Sequence, residues 1–292
     1  MVIGQEYEIV QPLGQGGNAR VYLAQCIKDN SYAVLKALPK SNNDERTQLK
    51  QLEASIHQSL KHPHVVSLDR VIQDNSYIYL IMELCDQGDL FDYLCADHDK
   101  SSVSHGDAVK HMFSQILDGV EHIHANNVYH HDLKIENVFL KSQAGEQVAI
   151  CKVGDFGLSS RERYTLEHLC GSTASYLGPE HWDASKKHRP YDAAAFDVWA
   201  LGIMLLLMIF GGYYPWEMAS DDDPSFSEFK RDSSVLKKRY PEISDSGLRL
   251  LQFMLAVDPA SRPSVSEVKK QLSSIDCLLV EAECLQQQHQ EQ

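Results

Sequence analysis

Basic residues are the minority in this chain. Its 27 Lys and Arg stand against 41 Asp and Glu, a formal charge of −14, which weighs against nucleic acid or an anionic membrane as a main partner. No cysteine pair has C-x-x-C spacing, and the seven cysteines are odd in number and scattered, so neither a disulfide framework nor a zinc site is expected. A reducing compartment follows, cytoplasmic or nuclear. The start, MVIGQEYEIV, has no basic cluster and does not read as a secretory signal. The longest apolar run, Val198 to Phe210, is thirteen residues, short of a bilayer span and better read as a buried helix. No G-x-x-x-x-G-K-[ST] string occurs, which excludes a P-loop nucleotide site.

What is present is enough for two lobes. At 292 residues, 43% hydrophobic and 23% charged, the chain can bury a sizeable core. The runs YEIVQPLG, ARVYLAQC and SYAVLKAL, broken by Gly and Asn-Ser turns, predict an antiparallel meander. A helical period follows over Asp44 to Leu60, with Leu49, Leu52, Ile56 and Leu60 on one face and Glu53 close to that stripe. Two further strands are expected at Val65 to Ile72 and Tyr77 to Glu83, and Asp86-Gln87-Gly88 reads as the turn between lobes. Helical patterns then dominate: Leu90 to Ala96, Ala108 to Asn126, Ala193 to Phe210, Ser246 to Ala256 and Val265 to Leu272. The expected division is a β-rich lobe over 1–85, a larger mainly helical lobe over 86–275 and a tail over 276–292, an α+β chain. The tail ends in the low-complexity QQQHQEQ, and its Leu278, Leu279, Val280 and Leu285 could dock on the large lobe or on a partner.

The chemistry concentrates in Tyr129-His130-His131-Asp132-Leu133-Lys134-Ile135-Glu136-Asn137 and, eighteen residues after Asn137, in Asp155-Phe156-Gly157. An Asp able to accept a hydroxyl proton, a Lys two residues on, an Asn five residues on and a second Asp for metal form a set suited to phosphoryl transfer. Gly14-Gln15-Gly16-Gly17-Asn18-Ala19-Arg20-Val21 sits between two strand patterns, where its backbone can approach phosphates closely. Alone, that loop is equally a glycine-rich hairpin. A Rossmann reading fails, because a strand and then Lys36 follow where a helix and an acidic residue would be required.

Together these segments resemble the eukaryotic protein kinases, Ser/Thr type, over roughly Tyr7 to Leu272, and the resemblance implies a bilobal kinase fold. It implies ATP and Mg²⁺ as cofactors. Gly14, Gly16, Val21, Val34, Lys36, Glu83, Cys85 and Phe139 would line the nucleotide site, with Met82 as gatekeeper and Glu83 to Cys85 as the hinge. Lys36 would contact phosphates and pair with Glu53; Asp132 would be the general base; Asn137 and Asp155 would hold metal; Lys134 would offset phosphate charge; Thr173 would touch Asp132 and Lys134. Asp197 would hold the catalytic-loop backbone, and Arg262 would pair with Glu180. Lys134 with Thr173 points to Ser/Thr protein substrates, and Glu136 and Asp89 match positions that, in basophilic kinases, meet an arginine upstream of the phosphoacceptor. The stretch from Asp197 to Leu236 is similar to fungal Ser/Thr kinases of nutrient response and meiotic control. A monomer is expected, with protein substrates and without nucleic acid or membrane partners.

Several residues depart from the family pattern. His131 replaces the arginine that usually docks an activation-segment phosphate. Activity is therefore expected either to be independent of phosphorylation at Ser159, Ser160, Tyr164 or Thr165, or to follow pH through charge gained by His131. Ala19 stands at a glycine position. Val34 and Phe139 alter the ceiling and floor of the nucleotide site. His57, one turn after Glu53, is expected to be a buried imidazole without a partner that depopulates the active arrangement. His62, His64, His122 and His124 read as packing or surface residues. The alternative to an active enzyme is a pseudokinase-like nucleotide-binding scaffold, which the complete set of Lys36, Glu53, Asp132, Asn137 and Asp155 argues against.

Overall fold

The computed structural model describes residues 1–16, 19–41, 44–96, 103–143, 145, 149–166, 173–183 and 190–280. Alternating apolar residues build its first half. Strands β1 (Val2–Ile3), β2 (Tyr7–Gln15), β3 (Arg20–Cys26), β4 (Tyr32–Pro39), β5 (Leu68–Gln73) and β6 (Tyr77–Glu83) form one antiparallel sheet in the order β1-β2-β3-β4-β6-β5. In β4 the period of two sends Ala33, Leu35 and Ala37 to one face, where they pack with Ala24, Tyr79 and Ile81. The other face takes Leu38, which packs with Leu68, Ile78, Leu80 and Ala54. Ala54 belongs to helix α1 (Asp44–Ser59), which therefore lies against the face that also carries Val34 and Lys36.

The face of α1 turned inward differs from the one expected. Leu49 and Leu52 are 58% and 41% exposed, while Glu53, Ala54, Ile56 and His57 are buried. The sheet selects the side of the helix that can reach Lys36, so the apolar stripe is only partly used.

The second half is mainly helical: α2 (Leu90–Cys95), α3 (Val103–Ala125), α4 (Ala193–Phe210), α5 (Pro224–Arg231), α6 (Val235–Arg239), α7 (Asp245–Met254) and α8 (Val265–Ser273). Two small antiparallel ribbons interrupt it, β7 (Val138–Lys141) with β8 (Ile150–Val153), and β9 (Tyr164–Thr165) with β10 (Tyr191–Asp192). Helix α4 is the axis of this lobe. Asp192 caps it through Ala194 N–H and Ala195 N–H, and Gly211 ends it in the left-handed region at φ 69°. By length and composition α4 could cross a membrane, yet 89% of it is buried inside the fold. Its Trp199, Ile203 and Leu206 join α3 and α7 in one continuous core.

Helices α5 and α6 were not anticipated. Asp223 caps α5 through Ser225 N–H and Phe226 N–H, with Pro224 at the first helical position, and Phe226 and Phe229 bury one face. The start of the tail docks on the large lobe. Leu278 and Leu279 are buried, Ser244 N–H donates to Leu278 O at 2.9 Å, and Val280 N–H donates to Glu242 O at 2.8 Å. Leu285 lies outside the described residues.

Candidate active site

Strand register assembles the first part of the site. Gly14 of β2 pairs with Val21 of β3, and Val21 pairs with Lys36 of β4, so the three share one rung of the sheet. Gly16 N–H donates to Ala19 O at 3.0 Å, closing the hairpin; Gly17 and Asn18 lie outside the described residues. A Cβ built on Gly14 or Gly16 would meet nothing within 4 Å, and neither residue has a positive φ. Protein packing therefore does not demand these glycines, whereas close approach of a bulky anion to the backbone would.

Lys36 Nζ lies 2.7 Å from Glu53 Oε1 and 2.7 Å from Asp155 Oδ1. Burial would lower its pKa, but the two carboxylates outweigh this and raise it above the ordinary lysine range. Asp155 shows the converse. Burial would raise its pKa, yet Lys36 brings it down to about 2, and the residue sits at φ 61°. Phe156, next in the chain, is buried against the His57 ring at 4.7 Å and the His130 ring at 5.2 Å.

His57 has a partner, contrary to expectation. Its Nε2 lies 2.7 Å from Val66 O, and burial lowers its pKa to about 4, so the ring is neutral and Nε2–H donates to that carbonyl. A bond nine residues away in sequence removes the cost assigned to an unpaired imidazole.

The catalytic loop hangs on Asp197. This buried carboxylate accepts from His130 N–H and His131 N–H at 2.9 Å each, and its Oδ2 lies 2.8 Å from His124 Nε2. Burial alone would raise its pKa, but the His124 bond and the neighbouring imidazoles hold it below the usual range. Asp132 Oδ2 takes Lys134 Nζ at 2.9 Å and Asn137 Nδ2 at 3.1 Å, and Asn137 Nδ2 also donates to Asp132 O at 2.8 Å. Among the described residues no hydrogen bond joins Thr173 to Asp132 or Lys134. Tyr176, three residues on, accepts from Ile135 N–H at 3.2 Å and so ties the two segments.

Asn137 spends its amide nitrogen on Asp132, which leaves its side-chain carbonyl oxygen as the atom that would ligate a metal. With the Asp155 carboxylate this makes a set of hard oxygens of the kind Mg²⁺ takes when a phosphate completes the shell. No cluster of three or more His, Cys, Asp or Glu able to hold a metal occurs among the described residues.

At the hinge, the N–H and C=O of Cys85 meet no hydrogen-bond partner among the described residues, so this edge can serve a planar ring. Burial pushes the Cys85 thiol up to about 11. Val34 pairs with Met82 across the sheet, and Phe139 bridges to Asp89. The Glu83 side chain turns away from this slot. It meets Lys141 Nζ at 2.6 Å, Lys152 Nζ at 2.9 Å and Ser67 N–H at 2.7 Å, tying the last strand of the sheet to the β7–β8 ribbon. Sequence reading assigned the hinge backbone but not this side-chain network, whose lysines lie 58 and 69 positions on.

His131 occupies a buried pocket. Its Nε2 lies 2.9 Å from Ser160 Oγ and its Nδ1 lies 3.1 Å from Tyr191 Oη. Burial lowers its pKa, against a rise from the Asp197 charge, which disfavours a charged ring. Arg262 forms a bidentate pair with Glu180, both contacts 2.7 Å, and its guanidinium stands 4.7 Å from the Trp199 ring centre.

A family model described as the protein kinase domain matches residues 7–272. Among curated relatives, the Schizosaccharomyces pombe serine/threonine-protein kinase ksp1 is 30% identical over 88% of this chain and 54% of its own length. The S. pombe negative regulator of sexual conjugation and meiosis is 30% identical over 94% of this chain and 61% of its own. The Saccharomyces cerevisiae cell cycle serine/threonine-protein kinase CDC5/MSD2 is 32% identical over 91% of this chain and 36% of its own. The chain spans about half the length of the first curated relatives it matches. With the domain match covering most of its residues and the sheet, loop and ion pairs in one arrangement, this chain belongs to the protein kinase family.

Proposed function

We propose that the chain is an active serine/threonine protein kinase that transfers the γ-phosphate of ATP to Ser and Thr hydroxyls of protein substrates. The observation that carries this reading is the joint assembly of Lys36 with Glu53 and Asp155, all at 2.7 Å, beside Asp132, Lys134 and Asn137. Asp132 is the general base. Its Oδ2 is occupied by Lys134 and Asn137, so Oδ1 is the oxygen that receives the substrate proton. Lys36 and Lys134 offset charge on the phosphate oxygens, and most of the rate comes from positioning. Asn137 and Asp155 would hold Mg²⁺, which when bound neutralises developing phosphate charge. Gly14, Gly16, Val21, Val34 and Phe139 enclose the nucleotide, and Cys85 meets adenine through its backbone. A nucleotide-binding scaffold would call for a gap in this set, and none of the five principal residues is missing.

The preferred substrate is basic upstream of the phosphoacceptor. Supporting this, Glu136 Oε2 is shielded from solvent and has no hydrogen-bond partner among the described residues, which suits a guanidinium. Asp89 stands near by as the cap of α2, and the net charge of −14 steers basic peptides. We place the enzyme in a reducing compartment and take the single chain as its unit of action. The test is a degenerate Ser/Thr peptide library. Enrichment of arginine three residues upstream, lost in Glu136→Ala, supports the preference; a flat profile in the native chain contradicts it.

A further inference from the structure

The stretch from Asp155 to Arg161 meets helix α1 at three levels. Asp155 shares Lys36 with Glu53, the Phe156 ring lies 4.7 Å from the His57 ring, and Arg161 Nη2 donates to Ser59 Oγ at 2.9 Å. The first two contacts belong to the site already described. The third lies outside it, at the last residue of α1.

A helix ends in carbonyls that have no partner within it and in the negative end of its dipole. At the end of α1, Leu60 N–H donates to His57 O at 3.1 Å and the Ser59 hydroxyl donates to Ile56 O at 2.7 Å. That hydroxyl has spent its hydrogen, so its oxygen accepts from Arg161. At the end of α3, Asn127 is left-handed at φ 52°, and the turn closes through Val128 N–H to Ile123 O at 3.1 Å and Asn127 N–H to His124 O at 3.0 Å. These bonds do not reach the Asn126 carbonyl, and Arg161 Nη1 donates to it at 3.2 Å. One guanidinium thus stands at the C-termini of two helices, one from each lobe. Its backbone is fixed next door, where Tyr129 and Ser160 exchange both N–H to O=C bonds at 2.9 and 3.0 Å. A lysine would supply charge at one point, whereas the planar fork aims separate nitrogens at the two ends.

We infer that Arg161 is a positioning residue: by bridging the ends of α1 and α3 it holds α1, and with it Glu53, in the register that keeps Lys36 at the phosphates. This rests on the kinase reading. The contacts close a ring, from Asp155 through Lys36 to Glu53, down α1 to Ser59, across to Arg161 and back along the chain. Opening the ring at Arg161 frees the end of α1. The loss falls on the nucleotide side, because Glu136 and Asp89, assigned to the peptide, are carried by the catalytic loop and the cap of α2. Arg161 is exposed, so solvent weakens its field and the effect is graded rather than all or none.

The test uses the full chain with Arg161→Gln, Arg161→Lys, Ser59→Ala and the double variant of Ser59→Ala with Arg161→Gln. Steady-state kinetics against ATP and peptide is read beside amide exchange over residues 50–59, with α4 as the internal reference. Arg161→Gln should lose about fivefold in kcat/KM for ATP while the peptide KM changes by less than about twofold. Its α1 amides should exchange faster and those of α4 should not. Arg161→Lys, which keeps the charge and loses the fork, should fall between the native chain and Arg161→Gln. The double variant should lose no more than Arg161→Gln alone. Native kcat/KM for ATP in Arg161→Gln, a loss confined to the peptide KM, or fully additive losses in the double variant would each overturn the inference. A native chain that transfers no phosphate sinks the kinase reading instead. Exchange in α1 then decides: faster exchange in Arg161→Gln supports the bridge, and unchanged exchange overturns it.

Discussion

His57 Nε2 lies 2.7 Å from the Val66 carbonyl, and that bond ties the helix carrying Glu53 to the loop ahead of β5. Replacing His57 with Leu leaves the carbonyl unpaired in a buried place and should cost about 1–3 kcal/mol at pH 7. The pH dependence has a definite sign. The folded pKa of about 4 lies below the unfolded value, so the unfolded chain binds more protons between the two. Stability from this residue is complete above about pH 6.5 and falls by on the order of 3 kcal/mol as pH drops to 4. Thermal melts of native and His57→Leu chains from pH 7 to 4.5 check this: the gap between them should shrink with acid, and a constant gap contradicts it.

Lys36 and Asp155 set the pH range of the site. The Asp155 pKa is depressed to about 2 and that of Lys36 is raised, so the pair stays charged from about pH 5 to 9. The Asp155 contribution is lost only as pH falls through about 2, and the Lys36 contribution only as pH rises past the ordinary lysine range. Glu53→Gln should weaken this order and lower kcat/KM for ATP by about tenfold to a hundredfold. Steady-state kinetics at pH 7.5 provides the check.

Glu83 serves two lysines of unequal burial, and their substitutions should differ. Lys152 is almost wholly covered, so Glu83→Ala leaves its buried ammonium with only the Pro63 carbonyl and should cost about 3 kcal/mol. Lys141 is more exposed at 38%, and Lys141→Met should cost under about 1 kcal/mol. Denaturant titration of the two variants tests the ranking, which equal losses would contradict.

Arg262 and Glu180 form a buried bidentate pair. Arg262→Ala should destabilise by about 3–5 kcal/mol, because Glu180 is left charged in a covered site. Calorimetry should show a clear drop in melting temperature.

How much of this was legible depended on sequence distance. The glycine hairpin, Lys36 on its strand, the loop from Tyr129 to Asn137 and the five main helices follow from local pattern, because turns, caps and periodicity are written within a few residues. The buried side of α1 was misread, since Leu49 and Leu52 are apolar but the sheet recruits Glu53 and His57. Helix α5 has a readable start in Asp223-Pro224 followed by Phe226 and Phe229, but at eight residues its apolar period is too short to stand out in the sequence. The partners of His57, His131 and Glu83 were hidden, because each bond joins segments that only the tertiary fold brings together.

The most direct measurement is phosphate transfer from Mg²⁺-ATP to a Ser/Thr peptide by the native chain and by Asp132→Asn, which preserves the shape of the loop while removing the base. Transfer by the native chain that falls by about a thousandfold in the variant, with ATP still bound, is the expected result. Equal transfer by both would contradict the role of Asp132, and no transfer by either, with ATP bound, would make the chain a scaffold.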